Sequence, residues 1–243
     1  MNPNAAPPNP ATPAETPPPV ERVLAETRLA FLHPWGLREY GEILALQERL
    51  REARRAGRIP DTWLAGEHPL VITQGVRGAA GDLVRRDLYP IFQIDRGGMT
   101  TLHNPGQLVI YPIALTRGGV LAQARMARLL LTTVRDWLAE RTGVELQVPK
   151  GRPGLFFGAR KVAAIGLSIH GRVSMHGIAI NLSNDMTPWR AIVPCGEPET
   201  QPITLSEIAG KRIEPGDLLP AIPDWLRRTW GYEEVHIREA LEP

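Results

Sequence analysis

Between residues 37 and 56, Tyr40, Ile43, Leu44, Gln47 and Leu50 recur near the spacing of one helix face, while Arg38, Glu42, Glu48, Arg49 and Arg51 fall elsewhere. The pattern predicts an amphipathic helix that stops near Gly57. A second helix is predicted over 121–141, with Met126, Leu130, Val134, Trp137 and Leu138 on one side and Gly143 as its C-terminal stop. A third, shorter one is predicted over 218–229, with Pro220 and Pro223 either delaying its start or sitting in its first turn. Short apolar runs at 62–64, 70–73, 91–94, 108–113 and 144–147 read as strands. The runs 161–169 and 172–181, separated by His170-Gly171, read as a β-hairpin. Strands interleaved with helices but including an adjacent hairpin predict an α/β (α+β) fold, a mixed sheet with helices packed on it.

Composition narrows the function classes. Residues 1–20 are a Pro/Ala-rich tract with little apolar bulk, expected to be a disordered tail, which leaves 21–243 as a single catalytic domain. The tract lacks the basic start and apolar centre of a secretory signal, so a cytoplasmic protein is expected. No apolar run approaches the roughly 20 residues of a bilayer span. A net charge of +2 is too weak to argue for nucleic acid. Neither of the common glycine-rich phosphate loops, G-x-G-x-x-G and G-x-x-x-x-G-K-[ST], occurs. One cysteine, Cys195, excludes an intrachain disulfide and a cysteine-rich zinc site.

That cysteine stands in Pro194-Cys195-Gly196, a rigid turn that suits an exposed nucleophile, although a lone thiol is also a common small core residue. A nucleophilic thiol needs help to ionise, since its free pKa is about 8.5. Only three lysines occur, Lys150, Lys161 and Lys211, and Lys161 opens an apolar strand where its ammonium is either partly desolvated or reaches back to water. Arg96-Gly97-Gly98 gives flexible backbone with free N–H groups before His103, suited to closing over a ligand or simply to joining strands. His176 lies in the second hairpin strand, where a core histidine is common, and His103 and His176 are the candidate assisting residues. Zinc held by His103, His176 and Cys195 has no supporting ligand spacing, so no metal is expected.

Taken in order, Glu67-His68-Pro69, Arg96-Gly97-Gly98 with Thr101, His103 and Pro105-Gly106-Gln107, Lys161 with Ala163-Ala164-Ile165-Gly166, His176-Gly177 with Ala179 and Asn181, and Pro194-Cys195-Gly196 resemble the lipoyl(octanoyl) transferase family. The resemblance covers about 29–208 and departs from the family pattern at Leu102, Asn104 and Glu197. It implies a biotin/lipoate ligase-like catalytic domain, no cofactor, a Cys195 acyl-thioester intermediate and Lys161 as the residue that tunes it. It further implies substrate-binding segments at Arg96, Gly97, Gly98, Met99, Thr100, Thr101, Leu102 and His103, at Ala164, Ile165 and Gly166, and at Gly177, Ile178 and Ala179. Octanoyl-acyl carrier protein is the implied donor, and lipoyl domains of 2-oxoacid dehydrogenases and the glycine cleavage H protein are the implied acceptors. A monomer that uses neither nucleic acid nor membrane is expected. The rival readings are a cysteine-dependent thioester hydrolase, a non-catalytic acyl-binding module of the same fold, and an ATP-dependent lipoate ligase.

Overall fold

The computed structural model describes residues 19–239 apart from 21, 22, 26, 27, 86 and 194–199. Its strands are β1 (Leu29–Leu37), β2 (Asp61–Glu67), β3 (Val71–Gln74), β4 (Ile91–Gln93), β5 (Thr100–His103), β6 (Gln107–Ile113), β7 (Leu155–Phe157), β8 (Arg160–His170), β9 (Val173–Asn181) and β10 (Glu234–Ile237). The helices are α1 (Tyr40–Arg55), α2 (Ala122–Thr142), α3 (Leu205–Ala209), α4 (Pro215–Leu218) and α5 (Ile222–Trp230).

Seven strands form a mixed sheet in the order β10-β1-β2-β6-β9-β8-β7, and β4-β3-β5 form a second, smaller sheet. The alternation of side chains along each strand divides the core. Trp63, Ala65, Leu108 and Ile110 turn to the face covered by α2 and α5. Their neighbours Leu64, Val109 and Tyr111 turn to the face covered by Ile43, Leu46 and Leu50 of α1. The expected mixed sheet flanked by helices is therefore what this chain forms. Among the described residues, no helix is long and apolar enough to cross a membrane.

A buried ion pair fastens α1 to the sheet. Arg54 Nε donates to Asp61 Oδ1 at 2.7 Å, and Asp61 also accepts from the Leu115 backbone N–H at 2.8 Å and the Tyr232 hydroxyl at 3.0 Å. Burial pushes the Asp61 carboxyl up despite the Arg54 charge beside it.

The elements differ from the sequence expectation in specific places. Residue 37 closes β1, so α1 begins at Tyr40. The hairpin loop is Gly171-Arg172, one residue later than expected, because His170 pairs with Val173. Gly171 and Arg172 have φ of 55° and 69°, the pair of left-handed residues that a tight two-residue hairpin requires. The stretch 144–147 is not a strand: Gln147 alone bridges Phe156, while Val144 and Leu146 simply fill the core beside α2. The third helix splits into α4, a turn of 3₁₀ helix at Leu219–Ala221, and α5, with Pro223 accommodated in the first turn of α5.

Candidate active site

Residues of the small sheet and of the large one line a common cavity of about 290 Å³. One wall comes from the 96–99 loop and β5, through Arg96, Gly98, Met99, Thr100, Thr101 and His103. The opposite wall comes from β8, through Lys161, Ala164, Ile165 and Gly166, and from β9, through His176, Gly177, Ile178 and Ala179. Three segments far apart in the chain thus meet around one space. Two of the residues singled out from the sequence do not line it. Leu102 points the other way, into a cluster with Ile72, Trp189 and Ile192, because alternate residues of β5 face opposite sides. Gly97 instead donates its N–H to the Leu167 carbonyl at 2.8 Å, which ties the loop to β8. Cys195, with Pro194, Gly196 and Glu197, lies outside the described residues.

Backbones approach closely at two of the lining glycines. A Cβ on Gly177 would sit 2.0 Å from the Ile110 carbonyl oxygen, so β9 can lie against β6 at this point only with glycine. Gly166 does the same against Gly97, with 2.6 Å between its Cβ position and the Gly97 oxygen.

Tyr40, Arg77, Tyr111, Gly151 and Pro153 also line the cavity and were not singled out from the sequence. Tyr40 and Tyr111 look like ordinary core residues in the helix and strand patterns. Their hydroxyls are the only feature that hinted at more, and burial pushes both of them up.

Hydrogen bonds fix the polar groups one by one. His68 Nδ1 donates to the Arg38 carbonyl at 2.9 Å, and its Nε2 accepts from the Tyr111 hydroxyl at 3.1 Å. Burial pushes His68 down to about 4, so it is neutral at physiological pH. His103 Nδ1 donates to Gln107 Oε1 at 2.8 Å, and Gln107 is itself held by donating to Asn181 Oδ1 at 2.9 Å. The other nitrogen of His103 faces the Thr73 hydroxyl at 3.4 Å. Burial, with His68 nearby, pushes His103 down to about 3. Arg96 is buried and gives its guanidinium to the Thr73 carbonyl at 2.8 Å and hydroxyl at 3.0 Å. It therefore braces the loop on the small sheet.

Lys161 is 4% exposed, the second residue of β8, with Nζ 5.1 Å from the centroid of the Phe156 ring. A desolvated ammonium over an aromatic face gains from the ring quadrupole and stays strongly attracted to any anion placed beside it. The Lys161 N–H donates to the Gln201 carbonyl at 2.9 Å, and the Lys161 carbonyl accepts from the Ile203 N–H at 3.0 Å. Thr200 and Pro202 share a second, smaller recess with Lys161. Among the described residues, no group of three or more His, Cys, Asp or Glu is placed to hold a metal ion.

Residues 39–226 match the family described as the lipoyl protein ligase A/B catalytic domain. The same fold occurs in the bi-partite lipoate protein ligase of Thermoplasma acidophilum, with a TM-score of 0.63 at 11% identity over 88% of this chain and 86% of that one. It also occurs in LipL1 of P. falciparum in complex with lipoate, with a TM-score of 0.64 at 13% identity over 88% of this chain and 67% of that one. Sequence relatives are closer. An octanoyltransferase of Geobacter sulfurreducens is 41% identical over 82% of this chain and 90% of the relative. One from Shewanella sp. (strain ANA-3) is 31% identical over 90% and 99% respectively. The chain belongs to the octanoyltransferases of this ligase family and is an acyltransferase.

Proposed function

We propose that the chain moves an octanoyl group from the thioester of an acyl carrier protein to a lysine of a lipoyl-bearing domain, by way of an octanoyl thioester on Cys195. In the first half, the Lys161 ammonium stabilises the Cys195 thiolate, which bonds to the donor's carbonyl carbon while the carrier's sulfur leaves as thiolate. In the second, the acceptor amine bonds to the same carbon and the Cys195 sulfur departs. Thioester to amide is downhill, so the reaction needs no nucleotide. The lipoyl domains of 2-oxoacid dehydrogenases and the glycine cleavage H protein are the proposed acceptors, and the cytoplasm is the proposed setting.

The observation that carries this reading is a buried lysine at the wall of a cavity to which β8 and β9 contribute Ala164, Gly166, Gly177 and Ala179, on a strand that pairs with Gln201 and Ile203, a few residues beyond Cys195. The cavity approaches the size at which ligand pockets begin, about 300 Å³. An octanoyl chain has seven carbons beyond the carbonyl, and at about 0.8 kcal/mol per buried CH₂ their burial contributes about 6 kcal/mol. Incubating the protein with octanoyl-carrier protein is expected to raise its intact mass by one octanoyl group, on the peptide that contains Cys195 and removable by hydroxylamine. An unmodified chain, or a label elsewhere, contradicts the proposal. Consumption of the adduct by water rather than by the acceptor domain would instead favour a hydrolase.

The same cavity makes a length prediction. Ala164 lines it, so Ala164→Leu shortens the space open to the acyl chain. The ratio of kcat/KM for hexanoyl over octanoyl donors is expected to rise at least about tenfold, since each misfitted methylene is worth about 1–3 kcal/mol. An unchanged ratio would show that the chain lies elsewhere.

A further inference from the structure

The two histidines on the cavity wall are sorted by their hydrogen bonds. His103 has both ring nitrogens opposite partners, Gln107 and Thr73, and burial keeps it neutral. His176 has one nitrogen to spare. Its Nε2 donates to Asp95 Oδ1 at 2.9 Å, while Nδ1 is buried with no hydrogen-bond partner among the described residues. The other oxygen of Asp95 meets His170 Nε2 at 2.6 Å. Side-chain exposure climbs along this line, from 2% at His176 to 45% at Asp95 and 53% at His170. The three side chains therefore run from the cavity wall to bulk water.

The backbone is arranged around this contact. His176 has φ of 58° inside a strand, a left-handed conformation that few residues other than glycine adopt, and its N–H is held by Gln47 Oε1 at 2.8 Å. A strained residue held by its surroundings at a site is a pointer to a role.

We propose that His176 is the base for the second half-reaction, taking the proton of the attacking amine on Nδ1, with Asp95 and His170 positioning it and leading that proton to solvent. The proposal rests on the octanoyl-enzyme reading above. Asp95 fixes the His176 proton on Nε2, which leaves the lone pair on Nδ1. As the neutral amine nitrogen bonds to the carbonyl carbon, the C–S electron pair leaves with the sulfur as thiolate. The surplus N–H proton passes to Nδ1. The imidazolium, held against the Asp95 carboxylate, then returns the proton to water on the His170 side. Hydrogen bonding from His176 and His170 holds the Asp95 carboxyl well below the usual carboxylate range, so it is an anion throughout. Lys161 is unsuited to this task because giving up its proton removes the charge that favours the departing thiolate. The ionisable groups that share the cavity with His176 are Arg77 and Arg96 from the loops, Lys161 from β8, His103 from β5, Tyr111 from β6 and Tyr40 from α1, with Asp95 in contact with His176 and His170 reached through it.

The test is single-turnover aminolysis. The enzyme is loaded with octanoyl-carrier protein, mixed with a lipoyl domain, and quenched for intact mass. His176→Gly suits the local backbone and opens a space for imidazole. In this variant the octanoyl-enzyme is expected to persist, with aminolysis about a hundredfold slower and restored by added imidazole in proportion to its concentration. Wild-type aminolysis in His176→Gly, or a slow reaction that imidazole leaves unchanged, overturns the role of His176. If His176→Gly does not fold, Asp95→Asn decides. Slower aminolysis with a displaced pH profile supports the relay, and an unaltered rate and profile overturns it. A wild-type enzyme that never carries octanoyl overturns the underlying reading, and the histidine's role with it.

Discussion

Lys161→Met is expected to slow octanoyl transfer by roughly 10²–10³-fold, the usual effect of deleting one preorganised charge from a desolvated site. Methionine preserves most of the aliphatic stem, which is buried against Phe156, so packing changes little. What disappears is a positive charge 4% exposed to water. A thiol with an unperturbed pKa of about 8.5 is only a few per cent thiolate at neutral pH, so the acylation step loses most of its nucleophile. Two measurements check this. Single-turnover acylation by octanoyl-carrier protein should fall, and the midpoint of iodoacetamide alkylation of Cys195 against pH should move upward. Superimposable alkylation curves for the two proteins would remove Lys161 from the activation of the thiol.

Arg54→Met is expected to destabilise the fold by about 3–5 kcal/mol at neutral pH, because it leaves the buried Asp61 carboxylate without its cation. For a chain of this size that corresponds to a fall in Tm on the order of 10 °C. The sign of the pH dependence is distinctive. Asp61 is held above its ordinary value in the folded protein by burial. A folded pKa raised above the unfolded one gives a stability contribution that is present at low pH and lost as pH rises through the folded value. Removing Arg54 raises the folded value further. The deficit of Arg54→Met relative to the parent should therefore narrow on acidification, as read from urea midpoints at a series of pH values. A deficit independent of pH would mean that lost packing, rather than an unpaired charge, is the cause.

How far the sequence reveals this molecule depends on whether local pattern and tertiary contact agree. The faces of α1 and α2 are legible because Ile43 and Leu50, or Met126 and Val134, repeat at helical spacing and do bury on that side. The β8–β9 hairpin is legible because a glycine interrupts two apolar runs. Other strands are hidden by their own residues. β1 contains Pro34 and Gly36, which break a strand pattern, yet it pairs with β10 ahead of them and with β2 along its length, its register on β2 shifting between those two residues. β5 sits between Gly97-Gly98 and Asn104-Pro105-Gly106, so its four buried residues read as part of a loop. The site follows the same rule. Glycine-rich segments and a rare lysine stand out in one dimension, and they do converge on one cavity. Asp95 and His170 do not stand out, since an acid in a loop and a histidine before a turn are ordinary, and only the fold brings them to His176. Leu102 shows the converse, a residue adjacent to ones that line the cavity but turned the other way by the pleat.

The division of the cavity between two sheets means that its width is not set by the side chains that line it alone. Ile72 and Leu102 of the small sheet pack against Trp189 and Ile192 away from the lining, so a change in bulk there is expected to shift the wall that β5 forms. Under the acyl-cavity proposal, chain-length preference would then answer to Ile72, Leu102 and Trp189, positions that an inspection of the lining would pass over.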